Sequence, residues 1–155
     1  MRSLAISNSS IMSSMPHLSC YNLLRVLDLE GCNLGDHTRM WFIGRLFHLR
    51  YLSLQGSGYA CEIPAEIGKL QFLQTLVLLG TSVEELPLCT FGLTQLMCLF
   101  VGWDTRLPNG ISNLSCLEAL SVVVDSVYVA EELGHLTELR MLDASLRKDK
   151  ELQMG

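Results

Sequence analysis

The stretch from His48 to Gly80, HLRYLSLQGSGYACEIPAEIGKLQFLQTLVLLG, carries one leucine frame twice. Leu49, Leu52 and Leu54 stand at relative positions 1, 4 and 6, and Leu73, Leu76 and Leu78 reproduce that spacing 24 residues later. Alternation across Leu52-Ser53-Leu54 suits a short strand with one buried face. Pro64 ends the extended run, and Ile67, Leu70 and Leu73 then carry an apolar side back toward the next strand. Self-similarity of this period constrains the fold more than any local propensity does, because every unit must pack on the next in the same way.

The frame can be laid down seven times, with starts near residues 1, 24, 49, 73, 96, 117 and 139. The spacings of 23, 25, 24, 23, 21 and 22 residues lie within the period of leucine-rich repeats. A second pattern runs between the frames. Ile63-Pro64, Leu86-Pro87 and Leu107-Pro108 each precede a short apolar segment that leads into the next frame. Proline fixes φ and biases its predecessor toward extended geometry, so it turns the chain from the strand side to the opposite side. One repeat cannot bury enough apolar surface to offset the cost of ordering its backbone, so the units must stack. The expected fold is α/β: one leucine-rich-repeat solenoid over 1–155, a horseshoe arc of six to seven repeats. Short parallel strands line its concave face; short helices, 3₁₀ turns and loops form the convex one. A longer helix is expected over Asp36 to Phe47, with Asp36 as cap and Trp41, Phe42 and Leu46 buried. Neither end of the series carries a recognisable polar cap, so the chain reads as a piece of a longer one.

Composition narrows the function. Charged residues make up 17% and apolar ones 49% of the 155 residues, which suits a packed core and not a disordered tail. The formal net charge of −5 gives no reason to expect nucleic acid or an anionic membrane surface as partner. No apolar run is long enough to span a membrane, and Met1 to Ser10 lacks the apolar core of a secretory signal, so a cytoplasmic location is expected. The six cysteines form no C-x-x-C pair; they read as reduced, mostly buried small hydrophobes.

With these motifs in view, the chain resembles the leucine-rich-repeat region of plant intracellular nucleotide-binding disease resistance proteins of the coiled-coil class. The likeness runs from about Leu23 to Leu142 and rests on LLRVLDLEGC, HLRYLSL, the IP-to-IGKLQFLQTL run and the recurrent LP before I-x-x-L. The chain departs from many repeat families at the ninth repeat position, which holds Ser9, Cys32, Ser57, Thr81, Asp104 and Asp125 and never asparagine. The repeat starting at Leu96 is also short, with Arg106 in an apolar slot and Leu107 one residue late. The resemblance implies recognition of a pathogen effector or a guarded host protein. It also implies restraint of a nucleotide-binding module for which these residues carry no phosphate-binding G-x-x-x-x-G-K-[ST]. Two other readings stay open: an extracellular receptor ectodomain, suggested by EIPAEIG and two glycosylation sequons, and an F-box-type substrate adaptor, suggested by LDLEGCNLGD.

No chemistry of an enzyme stands out. The four histidines show no metal-ligand spacing, there is no G-x-S-x-G elbow, and neither cofactor nor metal is expected. Cys32 is expected to be a buried thiol that bonds loop backbone. The informative residues are the outward strand positions, which should be polar on a solvated sheet. Val77, Leu79, Phe100 and Val123 are not, Trp103 adjoins them, Tyr51 stands at the edge, and Asp28 and Glu30 add charge on one flank. An apolar cluster of this kind on the concave face marks a protein-binding surface.

Overall fold

The computed structural model describes residues 1–6, 18, 20–34 and 40–146. The expected cap Asp36, the ninth-position Ser9, His17, His37 and the Asn8 sequon lie outside them. Seven strands follow the leucine frames: β1 Ser3–Ala5, β2 Val26–Asp28, β3 Tyr51–Ser53, β4 Thr75–Leu78, β5 Cys98–Val101, β6 Ala119–Val124 and β7 Met141–Leu146. They form a single sheet in sequence order, and every neighbouring pair is parallel. The register is the one that the frames dictate. Leu4, Leu27, Leu52, Leu76, Leu99, Leu120 and Leu142 face one another across the rungs.

The core sits behind that sheet. Leu27, Leu52, Leu76, Leu99 and Leu120 are fully buried, as are Leu29, Leu54 and Leu78 one alternation further on, with Val101 and Val122 in the same row. Frame-start leucines Leu24, Leu49, Leu73, Leu96 and Leu117 close the core on the side where the chain enters each strand. Cys32 joins them and its thiol donates to the carbonyl of Ile6 at 3.0 Å, so it serves as a small buried donor between two repeats.

The convex side is made of short 3₁₀ helices: η1 Trp41–Arg45, η2 Ala65–Lys69, η3 Leu88–Gly92 and η4 Ile111–Asn113. Pro64 and Pro87 precede η2 and η3 with φ −67° and −66° and ψ 146° and 145°. Their carbonyls accept from Ile67 and Thr90 at 3.0 Å and open the first turn. A 3₁₀ helix spans more length per residue than an α-helix, which suits a repeat with few residues to spend on the return path. The one α-helix among the described residues, α1 Val127–Leu133, is capped by Ser126, whose hydroxyl accepts from the Val129 amide at 3.3 Å. Glu132 accepts from the Gly110 amide at 2.9 and 3.2 Å, tying α1 to the turn before η4.

The expected longer helix near Trp41 is a correction. Over the described part it is the five-residue η1, with Phe42 and Leu46 buried as expected but Trp41 54% exposed. Trp41 instead lies edge-on to Phe42, with the Arg45 guanidinium 5.6 Å from its ring centre. A 3₁₀ helix repeats every three residues, so the face opposite Phe42 and Ile43 is left to solvent.

The turns after β2, β3 and β4 depend on glycine. Gly31, Gly56 and Gly80 hold the eighth repeat position with φ 68°, 61° and 67°. A Cβ at Gly80 would stand 3.0 Å from the backbone of Gly56, because the turns stack as closely as the strands do.

Two predictions follow from this packing. Leu76→Asp would bury an unpaired charge in the central rung; circular dichroism and thermal melting should show the central repeats unfolded, and an unchanged melt would overturn the register. Gly80→Ala should lower stability by about 1–2 kcal/mol through the left-handed backbone alone, and by more through the contact with Gly56, read as a lower urea midpoint at unchanged slope.

Candidate functional site

The parallel register decides which outward residues meet. One row across the concave face runs Asp28, Ser53, Val77, Phe100, Ser121 and Asp143. Val77 and Phe100 are therefore direct neighbours, about 4.8 Å apart between strands. Ala5 precedes Asp28 on the first rung, and polar residues then flank an apolar middle. Tyr51 lies in the adjacent row, opposite Thr75. Leu79 directly follows β4 and its carbonyl accepts from Gly56 at 2.8 Å. By the same register Val123 lies one rung beyond Gly102, so a bare glycine separates it from Leu79.

Exposure sorts these residues. Tyr51, Leu79, Phe100 and Val123 are half-buried. Trp103 is 75% exposed, more than any other aromatic side chain among the described residues. Val77 departs from the expectation of an open side chain: only 6% of it is accessible, although it lies outside the hydrophobic core behind the sheet. It forms the floor of the patch, not its crest. Asp28 is half-buried and its carboxylate accepts from the Glu30 amide at 3.1 Å, so it fixes the backbone that presents the exposed Glu30.

The irregular repeat explains why Trp103 projects. Six residues separate Val101 from Pro108, where nine separate Leu54 from Pro64, so the shortening lies in the turn. Trp103 occupies the eighth position, which is glycine in the three preceding complete repeats. The turn here closes differently, with the Thr105 amide donating to the Gly102 carbonyl at 3.2 Å. Asp104, at the ninth position, is exposed; Thr105 takes the inward slot at 2% exposure and donates its hydroxyl to the Val83 carbonyl at 2.7 Å. Asp125, also at the ninth position, is likewise exposed, and the neighbouring Ser126 does the capping. Leu107 is buried, while Arg106 points to solvent and bridges to Glu85 through the backbone. A carboxylate cannot fill a slot surrounded by carbonyls, whereas a hydroxyl can donate to one.

Sequence reasoning missed the open groove of about 980 Å³ beside these turns, lined by Glu62, Glu84, Glu85, Asp104 and Arg106 with Ile63 and Leu86. Its signal was the acidic residues in the turns after β3, β4 and β5, at Glu62, Glu84, Glu85 and Asp104. Among the described residues no group of three His, Cys, Asp or Glu side chains stands together to hold a metal. No helix among them is long and apolar enough to cross a membrane. All six cysteines are free thiols, but against the expectation of mostly buried side chains only Cys32 is buried; Cys20 and Cys116 are exposed and Cys61, Cys89 and Cys98 half-buried. Tyr128, on exposed α1, has its phenol pushed up by the charge of Glu132 and by the hydrogen bond to it.

A one-sheet arc with a repeating buried leucine face and variable outward positions is a leucine-rich-repeat solenoid, a class built for protein contact. The chain belongs to the leucine-rich-repeat region family, which matches residues 1–154. Disease resistance protein RGA5 of Oryza sativa subsp. japonica is 34% identical over 87% of this chain and 12% of its own length. Probable disease resistance protein RF9 of Arabidopsis thaliana is 34% identical over 84% of the chain and 13% of its own length. Disease resistance protein RRS1 of Arabidopsis thaliana is 30% identical over 94% and 10%. The chain thus spans about an eighth of the length of these relatives or less. Among solved structures, a leucine-rich-repeat protein of Leptospira interrogans superposes with a TM-score of 0.78 at 26% identity, over 96% of this chain and 38% of that one. A TDR receptor superposes with a TM-score of 0.73 at 25% identity, over 94% and 27%.

The Thr105 slot generates a prediction. Thr105→Val keeps the volume but strands the Val83 carbonyl, and should cost about 1–3 kcal/mol. The loss should appear as a lower urea midpoint, together with changed Trp103 fluorescence, because the same turn holds the indole.

Proposed function

We propose that this chain is a protein-binding recognition region of a plant innate immune receptor. It senses a pathogen effector or a guarded host protein and restrains a nucleotide-binding module carried elsewhere in the receptor. The observation that carries this reading is an apolar strip of Phe100, Leu79 and Trp103 over Val77, set in an otherwise polar concave row, in a chain whose relatives are disease resistance proteins. Tyr51 and Val123 extend the strip, and Asp28 and Glu30 bring negative charge to one flank. Aromatic side chains amid aliphatic neighbours commonly dominate an interface. The flanking carboxylates tune the rate of association more than the lifetime of the complex. Binding, not catalysis, is the activity proposed, with no cofactor. Six free thiols support a reducing, cytoplasmic setting.

The test is a full-length receptor carrying Phe100→Ala and Trp103→Ala. Losing one such anchor typically costs about 2 kcal/mol, or about 30-fold in affinity. If the strip meets the ligand, the double variant is silent toward it. If the strip holds the nucleotide-binding module, the same variant signals without ligand. A folded variant unchanged in both respects removes the strip from the mechanism.

A further inference from the structure

The open groove of about 980 Å³ lies on the margin where the chain leaves the strands. Nine residues stand between Leu54 and Pro64, eight between Leu78 and Pro87 and six between Val101 and Pro108. Each turn is shorter than the one before it, so the margin steps back and leaves a recess beside the longest turn. In that recess Glu85 pairs with Arg106 in a parallel bridge outside the main sheet. The Leu86 amide donates to the Arg106 carbonyl at 3.2 Å, and the Arg106 amide donates to the Glu84 carbonyl at 2.7 Å. In a parallel pair, the residue between two bonded neighbours turns its own amide and carbonyl the other way. Those of Glu85 therefore face the preceding turn at residues 60–63, across the groove. Among the described residues neither group has a backbone partner. An unpaired strand edge of this kind is a template for another extended chain. Leu86 is buried beneath the edge, and Leu88 stands 68% exposed at the lip. Glu62, Glu84, Glu85 and Asp104 line the recess against the single guanidinium of Arg106.

We propose that this groove takes an extended, lysine- or arginine-bearing segment of a partner protein, added as a strand along Glu85. The edge supplies backbone bonds, and the carboxylates select the charge of what is added. Basic residues at every second position present one face about every 6.8 Å, and the residues between them turn to the apolar lip at Leu88. Other occupants fit less well. The carboxylates are spread along the recess: among the described residues no three His, Cys, Asp or Glu side chains stand together to hold a metal. A nucleic acid or an anionic lipid surface is repelled by them. A polyamine matches their charge but leaves the Glu85 amide and carbonyl unused. A helix satisfies its backbone internally and leaves them unused as well. The groove lies on the turns and not in the concave row, so binding here is independent of the concave strip.

The experiment uses the 155-residue chain and a short fluorescein-labelled peptide of alternating lysine and valine, followed by fluorescence anisotropy. The peptide should bind, and binding should weaken as salt is raised. Glu84→Gln with Glu85→Gln alters two exposed side chains and leaves the core alone. It should weaken binding at least about tenfold, as expected for paired charges at an interface. The same peptide N-methylated throughout keeps every lysine charge but has no amide to donate, and should bind at least about fivefold more weakly. A glutamate-for-lysine peptide should stay free. Phe100→Ala should leave peptide binding unchanged. If the peptide fails to bind while the concave variants still alter recognition in the receptor, the concave reading stands and this one falls. The proposal is overturned if the lysine peptide does not bind, or if the glutamate peptide binds as well. It is equally overturned if the glutamine variant or the N-methylated peptide shows undiminished binding. Displacement of the peptide by spermine at equal charge, or loss of binding in Phe100→Ala, would also overturn it.

Discussion

The structure depends on one constraint: each repeat shares its strand amides between the repeats before and after it while burying its leucines against the same neighbours. The Leu29 amide donates to Ser53 and the Leu54 amide to Val77, each at 2.9 Å, so a rung's position is inherited from the rung beside it. Behind the sheet, the fully buried leucines of neighbouring rungs leave no room for one unit to slide relative to another. Registry and burial are therefore the same condition. The turn glycines, the prolines and the 3₁₀ helices are what closes a repeat of some two dozen residues at that fixed rung spacing.

This division of labour leaves the outward residues free. A side chain on the concave face contributes little to registry, so Ser53, Val77, Phe100 and Ser121 can stand in one row with different chemistry. The turns are freer still. The short repeat absorbs its missing residues between Val101 and Pro108, and Thr105 restores the bond to the preceding repeat at 2.7 Å. The frame leucines Leu96, Leu99 and Leu117 on either side stay buried. An irregular turn is thus a way to lift one large side chain, Trp103, off the surface without disturbing the core.

Charge follows the same geometry. Carboxylates gather where the chain leaves the middle strands, at Glu84, Glu85 and Asp104, and arginines gather where it enters the first three. The two edges are separated by the width of the sheet, so neither set neutralises the other at close range. The entry margin carries Arg2, Arg25 and Arg50 on its first rungs and Glu118 and Arg140 on its last, and the groove on the exit margin is acidic apart from Arg106.

The repeat period, the register of all seven strands, the buried rows and the proline entry to the convex turns were legible in the sequence. Leucine spacing is a one-dimensional property that survives folding unchanged. The apolar outward positions were legible for the same reason, since alternation assigns each residue to a face. What the sequence left undecided is what depends on the neighbouring rung. Alternation puts Val77 on the concave face, but its near-complete burial depends on what surrounds it there. Position nine points to Asp104, but the carbonyl waiting in the preceding repeat accepts a bond only from a donor, and Thr105 supplies it. A helical reading buries Trp41, yet a 3₁₀ turn exposes it. The line of three arginines comes from residues more than twenty positions apart, and only stacking the repeats makes them neighbours.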